Sequence, residues 1–193
     1  MSTDELTITT SWTHRAYFKK FRLNVEQYGE ILVAQAFQGE KKGDAQPCYD
    51  VEATHSNLRI GLQKAGASPI AIESCLACHS EGDIRIEVKC KLARTASGKA
   101  NVIHCRNKLK GVRRHFAATH FAVVLFDGIG NGTVEEAWFF AANIAEQLQR
   151  KATKSGYIPV PALREAALLG KDRIIDIRTL IDDVASRALS VTD

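Results

Sequence analysis

The sequence predicts an α/β protein with a mixed central β-sheet flanked by helices, and three stretches carry that reading. From Asp83 to Lys91 the side chains alternate strictly: Ile84, Ile86, Val88 and Cys90 fall on one face of a strand, Arg85, Glu87, Lys89 and Lys91 on the other. Thr119 to Phe126 is an apolar run rich in β-formers, as a strand buried on both faces requires. Leu23 to Phe37 places Tyr28, Ile31, Leu32 and Ala36 at helical spacing.

The remaining elements follow in order. Gly39-Glu40-Lys41-Lys42-Gly43-Asp44 ends the first helix in a loop, and Cys48 to Ala53 reads as a short strand. Ser56 to Ala65 is a predicted helix closed by Gly66, while Ser68 to Gly82 fits no pattern. Arg94 to Ala100 reads as a basic turn, Asn101 to Cys105 as a short strand, and Arg106 to Phe116 as a basic loop or short helix. Val134 to Phe140 predicts a strand and Ala141 to Lys151 a helix. The prolines make Tyr157 to Pro161 extended. Two short helices close the chain, the last with Ile177, Leu180, Ile181, Val184 and Ala188 as its apolar stripe.

A chain of 193 residues, 45% hydrophobic and 25% charged, suits one domain with a sizeable core. No apolar run approaches the ~20 residues of a membrane-spanning helix. Met1 to Thr10 carries acidic and hydroxyl residues where a signal peptide needs a basic start, so the expected location is the cytoplasm. Charge is unevenly spread. Between Val88 and Phe126 stand Lys89, Lys91, Arg94, Lys99, Arg106, Lys108, Lys110, Arg113 and Arg114, with no Asp or Glu. The other 17 Lys and Arg face all 22 acids, so the rest of the chain is net negative. Such a segment suits a polyanion, and these residues from Lys91 onward are the expected contacts to DNA phosphates.

The chemistry centres on Glu87-Val88-Lys89, which puts a carboxylate and an ammonium on one strand face, with Asp50 on another predicted strand. If the two strands pair, Asp50 and Glu87 point at a common centre. Phosphodiester hydrolysis uses such a set: hard oxygen ligands hold Mg²⁺, and a lysine orients water and offsets charge developing on the phosphate. Asp83 and Glu52 are the alternative carboxylates to Asp50.

With Glu30 on the first helix, Asp50 on a strand, Glu87-x-Lys89 on the next and the apolar strand 119–126 after it, the chain resembles the PD-(D/E)xK nuclease superfamily over residues 22 to 130. The resemblance implies a restriction-endonuclease-like fold. It makes Asp50 and Glu87 the ligands of Mg²⁺, with Mn²⁺ as a substitute. It sets Lys89 on the attacking water and Glu30 as an auxiliary acid. The expected function is an endodeoxyribonuclease, with restriction of foreign DNA as the first role and junction resolution or repair as the second. A non-catalytic nucleic-acid-binding module of the same fold is the alternative. A homodimer is expected, since one site cuts one strand. Residues 1–130 would form the nuclease core, with an insertion at about 56–82. Residues 131–193 would add a strand and helices to it.

The five cysteines read as free thiols in a reducing compartment. Cys75 and Cys78 have the knuckle spacing of a structural Zn²⁺ site that His79, His55, Cys48 or Cys105 would complete, but there is no second C-x-x-C pair. Cys75-x-x-Cys78-His79 also has the letters of a c-type haem attachment, against which stand the missing export signal and a sole methionine at position 1. His14, His104, His115 and His120 are candidates for phosphate binding or proton transfer. No phosphate-binding P-loop occurs, so no ATP dependence is expected.

Overall fold

A computed structural model describes residues 25–42, 49–77, 83–93, 102–104, 118–127, 133–152 and 157–190. The first helix, α1 (Val25–Ala36), buries Tyr28, Leu32, Val33 and Ala36 along one stripe. Strands β1 (Glu40–Lys41) and β2 (Val51–Ala53) follow. Helix α2 (His55–Lys64) starts where the Thr54 hydroxyl accepts the Asn57 N–H at 3.2 Å, and it stops at Gly66, whose φ of 81° is left-handed. Helix α3 (Pro69–Leu76) occupies the stretch that fits no sequence pattern. Ser68 caps it through the Ala71 N–H, and Pro69 takes the first turn, where a missing N–H costs nothing.

Strand β3 (Ile84–Leu92) has the predicted alternation, its even-numbered side chains Ile84 to Cys90 buried and its odd-numbered ones half-buried. Next come β4 (Val102–His104), β5 (His120–Phe126), β6 (Val134–Ala141) and α4 (Ala142–Ala152). Strand β7 (Tyr157–Pro159) is shorter than expected, because the chain turns helical at Val160 and Pro161 sits in the first turn of α5 (Val160–Leu169). A three-residue strand, β8 (Ile174–Asp176), separates α5 from α6 (Arg178–Ser190).

Six strands form one mixed sheet in the order β1-β2-β3-β5-β6-β8; β3 and β5 run parallel and every other neighbouring pair is antiparallel. Strand β4 pairs with β7 in a separate ribbon. One face of the sheet packs under α1, α2, α3 and α6, through Leu32, Phe37, Leu58, Ile72, Phe139 and Ile181. The other face packs against α4, α5 and the ribbon, through Phe121, Val123, Ile103, Leu148, Ile158 and Leu163. Strand β5, buried at all seven residues, is the shared floor of both clusters. Helices α2 and α3, between β2 and β3, are therefore part of the core, and β6 and β8 continue the same sheet.

Helix α1 lies unusually close to β3. A Cβ on Gly29 would stand 1.8 Å from Cys90 Sγ, so only glycine lets the helix backbone down onto the strand at this point. No helix among the described residues is long and apolar enough to cross a membrane.

Candidate active site

Strand β3 is nine residues long, but β2 pairs only with Ile84, Arg85 and Ile86. Among the described residues, β2 gives that edge of β3 no ladder partner beyond Ile86. Asp50 sits in the bend leading into β2, not within the strand as the sequence suggests. Its amide donates to the Ile86 carbonyl at 2.9 Å, and its carbonyl accepts from the Lys42 amide at 2.8 Å. Its carboxylate Oδ2 accepts the Val88 N–H at 2.7 Å. The side chain thus takes over as ladder acceptor where the strand has ended, which fixes the carboxylate one residue from Glu87. A buried amide without an acceptor would be costly, so the sheet edge itself holds Asp50 in place.

Glu87 and Lys89 leave β3 on the face of the second core cluster, level with Phe121 and Val123 of β5. Their side chains are 15% and 22% exposed, and the Lys89 ammonium is ion-paired to Glu87 Oε1. Glu30 stands on α1, which covers the opposite face of the sheet, and is paired with Lys41 at 2.9 Å. Its neighbour one turn back, Glu26, reaches Lys91 at 3.0 Å and ties the helix to the strand. Cys90 sits amid these charges. Burial pushes its thiol pKa well above the usual range, the Glu30 and Asp50 carboxylates push it further, and Lys89 opposes them. The hydrogen bond to the Val88 amide therefore holds Asp50 beside Glu87 and Lys89, and Glu30, like Asp50 and Lys89, is close enough to act on Cys90.

The donor set suits a hard cation. Asp50 and Glu87 offer carboxylate oxygens, and among the described residues no three His, Cys, Asp or Glu side chains converge as a metal cage. Mg²⁺ needs no such cage, since it is held by one or two carboxylates and completes its octahedron with water and phosphate oxygens. A zinc site needs four protein ligands for a structural role. Of the residues considered for zinc, Cys75 is buried on α3 and in no disulfide, while Cys48, Cys78, His79 and Cys105 lie outside the described residues. His55 does not join a ligand group, and its Nε2 is buried without a hydrogen-bond partner.

His120 is a correction to the sequence reading. It is fully buried, stacked on Phe139 with centroids 5.1 Å apart, and both ring nitrogens are engaged, by the Cys75 carbonyl at 3.1 Å and Thr119 Oγ1 at 2.9 Å. It is a core group and cannot reach a phosphate. Of the basic residues expected on DNA, Lys91 stands at the site edge. Arg94, Lys99, Arg106, Lys108, Lys110, Arg113 and Arg114 lie outside the described residues.

Two groups beside the site have a signal that the charge census of the sequence passes over. Arg85 shares the parity of Glu87 and Lys89, three residues ahead of the acid-free stretch, and its guanidinium lies 6.0 Å from the centroid of the Tyr49 ring. Lys42 bridges Glu40 at 2.8 Å and Glu52 at 2.7 Å. Those contacts raise the Lys42 pKa and lower that of Glu52. A groove of about 750 Å³ opens away from these residues, at the β6–β8 edge, where Trp138, Arg164, Lys171 and Ile175 line it. Compared with known proteins, the chain matches no protein-family model and no curated protein.

Proposed function

We propose that the protein is a Mg²⁺-dependent endodeoxyribonuclease of the PD-(D/E)xK kind, acting as a homodimer. The observation that carries this reading is the Asp50 carboxylate hydrogen-bonded to the Val88 amide, in the middle of Glu87-Val88-Lys89. A carboxylate on the bend before β2 is thereby held one residue from a carboxylate and an ammonium on β3, the minimum set for metal-assisted phosphodiester hydrolysis. Bound between Asp50 and Glu87, Mg²⁺ would polarise the phosphate and acidify an attacking water. Asp50 and Glu87 would hold that cation, and the Asp50–Val88 hydrogen bond keeps the first carboxylate beside the strand that carries the second. Lys89, released from Glu87, holds the water by hydrogen bonding and offsets negative charge as it grows on the phosphate oxygens. The basic segment after β3 supplies contacts along the duplex backbone.

The test is nicking and linearisation of plasmid DNA with Mg²⁺ and with EDTA, for wild type and for Asp50→Ala, Glu87→Ala and Lys89→Ala. Metal-dependent cutting that each substitution lowers by at least about a hundredfold is the expected result. Full activity in all three variants would remove the site from consideration. A second reading, a nucleic-acid-binding module that does not cut, is favoured by one observation: the Lys89 ammonium is ion-paired to the Glu87 carboxylate. It predicts salt-sensitive DNA binding with no cutting under any metal.

A further inference from the structure

The four lysines around the candidate site all carry carboxylate partners. Lys41 is held by Glu30, Lys42 by Glu40 and Glu52, Lys89 by Glu87 and Lys91 by Glu26. Arg85 differs. It lies on β3 two residues before Glu87 and on the same face, about 7 Å along the strand. Its side chain is half-buried, and among the described residues its guanidinium makes no ion pair. Glu52, its cross-strand neighbour, lies near enough for Arg85 to help lower its pKa, but its carboxylate accepts from the Lys42 ammonium at 2.7 Å and makes no ion pair with Arg85. The group Arg85 does meet is the Tyr49 ring, on the residue directly before Asp50.

An aromatic face under a guanidinium steadies the cation without consuming its N–H donors. Those donors form a planar fork that matches two phosphate oxygens, a match the ammonium of a lysine cannot make. The same turn of chain therefore presents Asp50 to β3 and steadies Arg85 beside it.

We propose that Arg85, steadied by Tyr49, is the phosphate-binding residue of this site and grips a backbone phosphate of the nucleic acid adjoining the position served by Asp50 and Glu87. The proposal rests on the nuclease reading for the identity of its substrate and adds to it the residue that seats the phosphate. On this view the sugar-phosphate backbone runs along the odd-numbered face of β3, from Arg85 toward Lys89.

The experiment is fluorescence anisotropy of a labelled DNA duplex with the full chain in EDTA, where no cutting occurs, at several salt concentrations. Arg85→Gln is expected to weaken binding about tenfold and to lower the slope of log K against log salt by about one. Arg85→Lys should keep the slope and lose part of the affinity, because the charge stays and the fork goes. Tyr49→Leu changes no charge, so a several-fold loss at unchanged slope is the signature of lost positioning. Arg59→Gln, on α2 and paired with Glu73, should bind as wild type. Circular dichroism and thermal unfolding check that each variant is folded.

Wild-type affinity and slope in Arg85→Gln would overturn the proposal. An equal loss in Arg59→Gln, or no DNA binding by the wild type, would do the same. The nuclease reading fails separately. If Arg85→Gln weakens binding as expected and the wild type never cuts with Mg²⁺, the phosphate role stands and the catalytic one falls. If the wild type cuts and Arg85→Gln binds and cuts equally well, the reverse holds.

Discussion

Replacing Gly29 by alanine tests the packing that sets α1 against the site strand. In an open helix interior the change would stabilise by about 1 kcal/mol, since alanine has the higher helix propensity. Here the new Cβ would lie 1.8 Å from Cys90 Sγ and 3.0 Å from Cys90 Cβ. Carbon and sulfur need roughly twice the shorter distance. The obstacle is also not the loose end of a long side chain: Cys90 is buried on a central strand, so either α1 rises or the thiol leaves its rotamer. A clash this deep against a buried side chain belongs in the upper half of the usual overpacking range, about 2–3 kcal/mol. Net of the propensity gain, Gly29→Ala should destabilise by about 1–2 kcal/mol. At about 2–4 °C per kcal/mol for a chain of this size, the melting temperature should fall by roughly 2–8 °C. The assay is thermal and urea unfolding of the wild type, Gly29→Ala, Cys90→Ala and the double variant. In the double variant the alanine methyl moves into the volume the sulfur leaves, so its loss should be smaller than the sum of the two single losses by about 1 kcal/mol. A Gly29→Ala protein as stable as the wild type, or strictly additive losses, would refute the close approach.

Two further perturbations address charge. Lys89→Met removes the cation paired with Glu87, so calorimetric Ca²⁺ affinity should rise by about three- to tenfold, the worth of a partly exposed ion pair; equal or weaker binding would show that Lys89 does not compete for that carboxylate. Burial raises the pKa of Asp182 on α6, with Arg178 opposing. A carboxyl whose folded pKa is raised loses stability as pH climbs through that pKa, because the folded state resists ionisation. Asp182→Asn should therefore gain on the wild type at pH 7 and lose that gain in acid below the carboxylate range. Melting curves across pH measure it, and an Asn variant that is less stable at pH 7 than at pH 3, relative to wild type, would contradict the sign.

Much of the sheet is legible in the sequence because its central strands have extreme patterns. The alternation of Ile84 to Cys90 appears residue for residue as burial, and the apolar run 120–126 is the doubly covered strand. Short elements are not legible in the same way. Three residues, Ile174 to Asp176, are too few for a period and are a strand only because β6 offers an edge. Helix α3 has its start written in Ser68-Pro69, yet the cysteines that follow draw attention from that cap. At the site, Glu87 and Lys89 are legible from parity alone. Asp50 is placed by a hydrogen bond across 38 residues, which no local pattern contains. Glu30 is on the predicted helix, but which face of the sheet a helix covers is decided by tertiary packing, and here Gly29 seats it over Cys90. Arg85 has the right parity, and only the fold reveals Tyr49 beside it.

The parallel pairing of β3 with β5 also bears on how fast the chain can fold. It joins Glu87 to Phe121, and the Asp50–Val88 bond joins residues farther apart still. Neither contact can form before a long loop has closed, and the entropy of that closure is spent before any burial offsets it. Both apolar clusters need β5 as their floor, so neither can reach native density ahead of this step. The protein should thus fold toward the slow end for mixed α/β domains. Until β5 docks, β3 exposes a free edge and apolar face, the species most prone to pair with another chain.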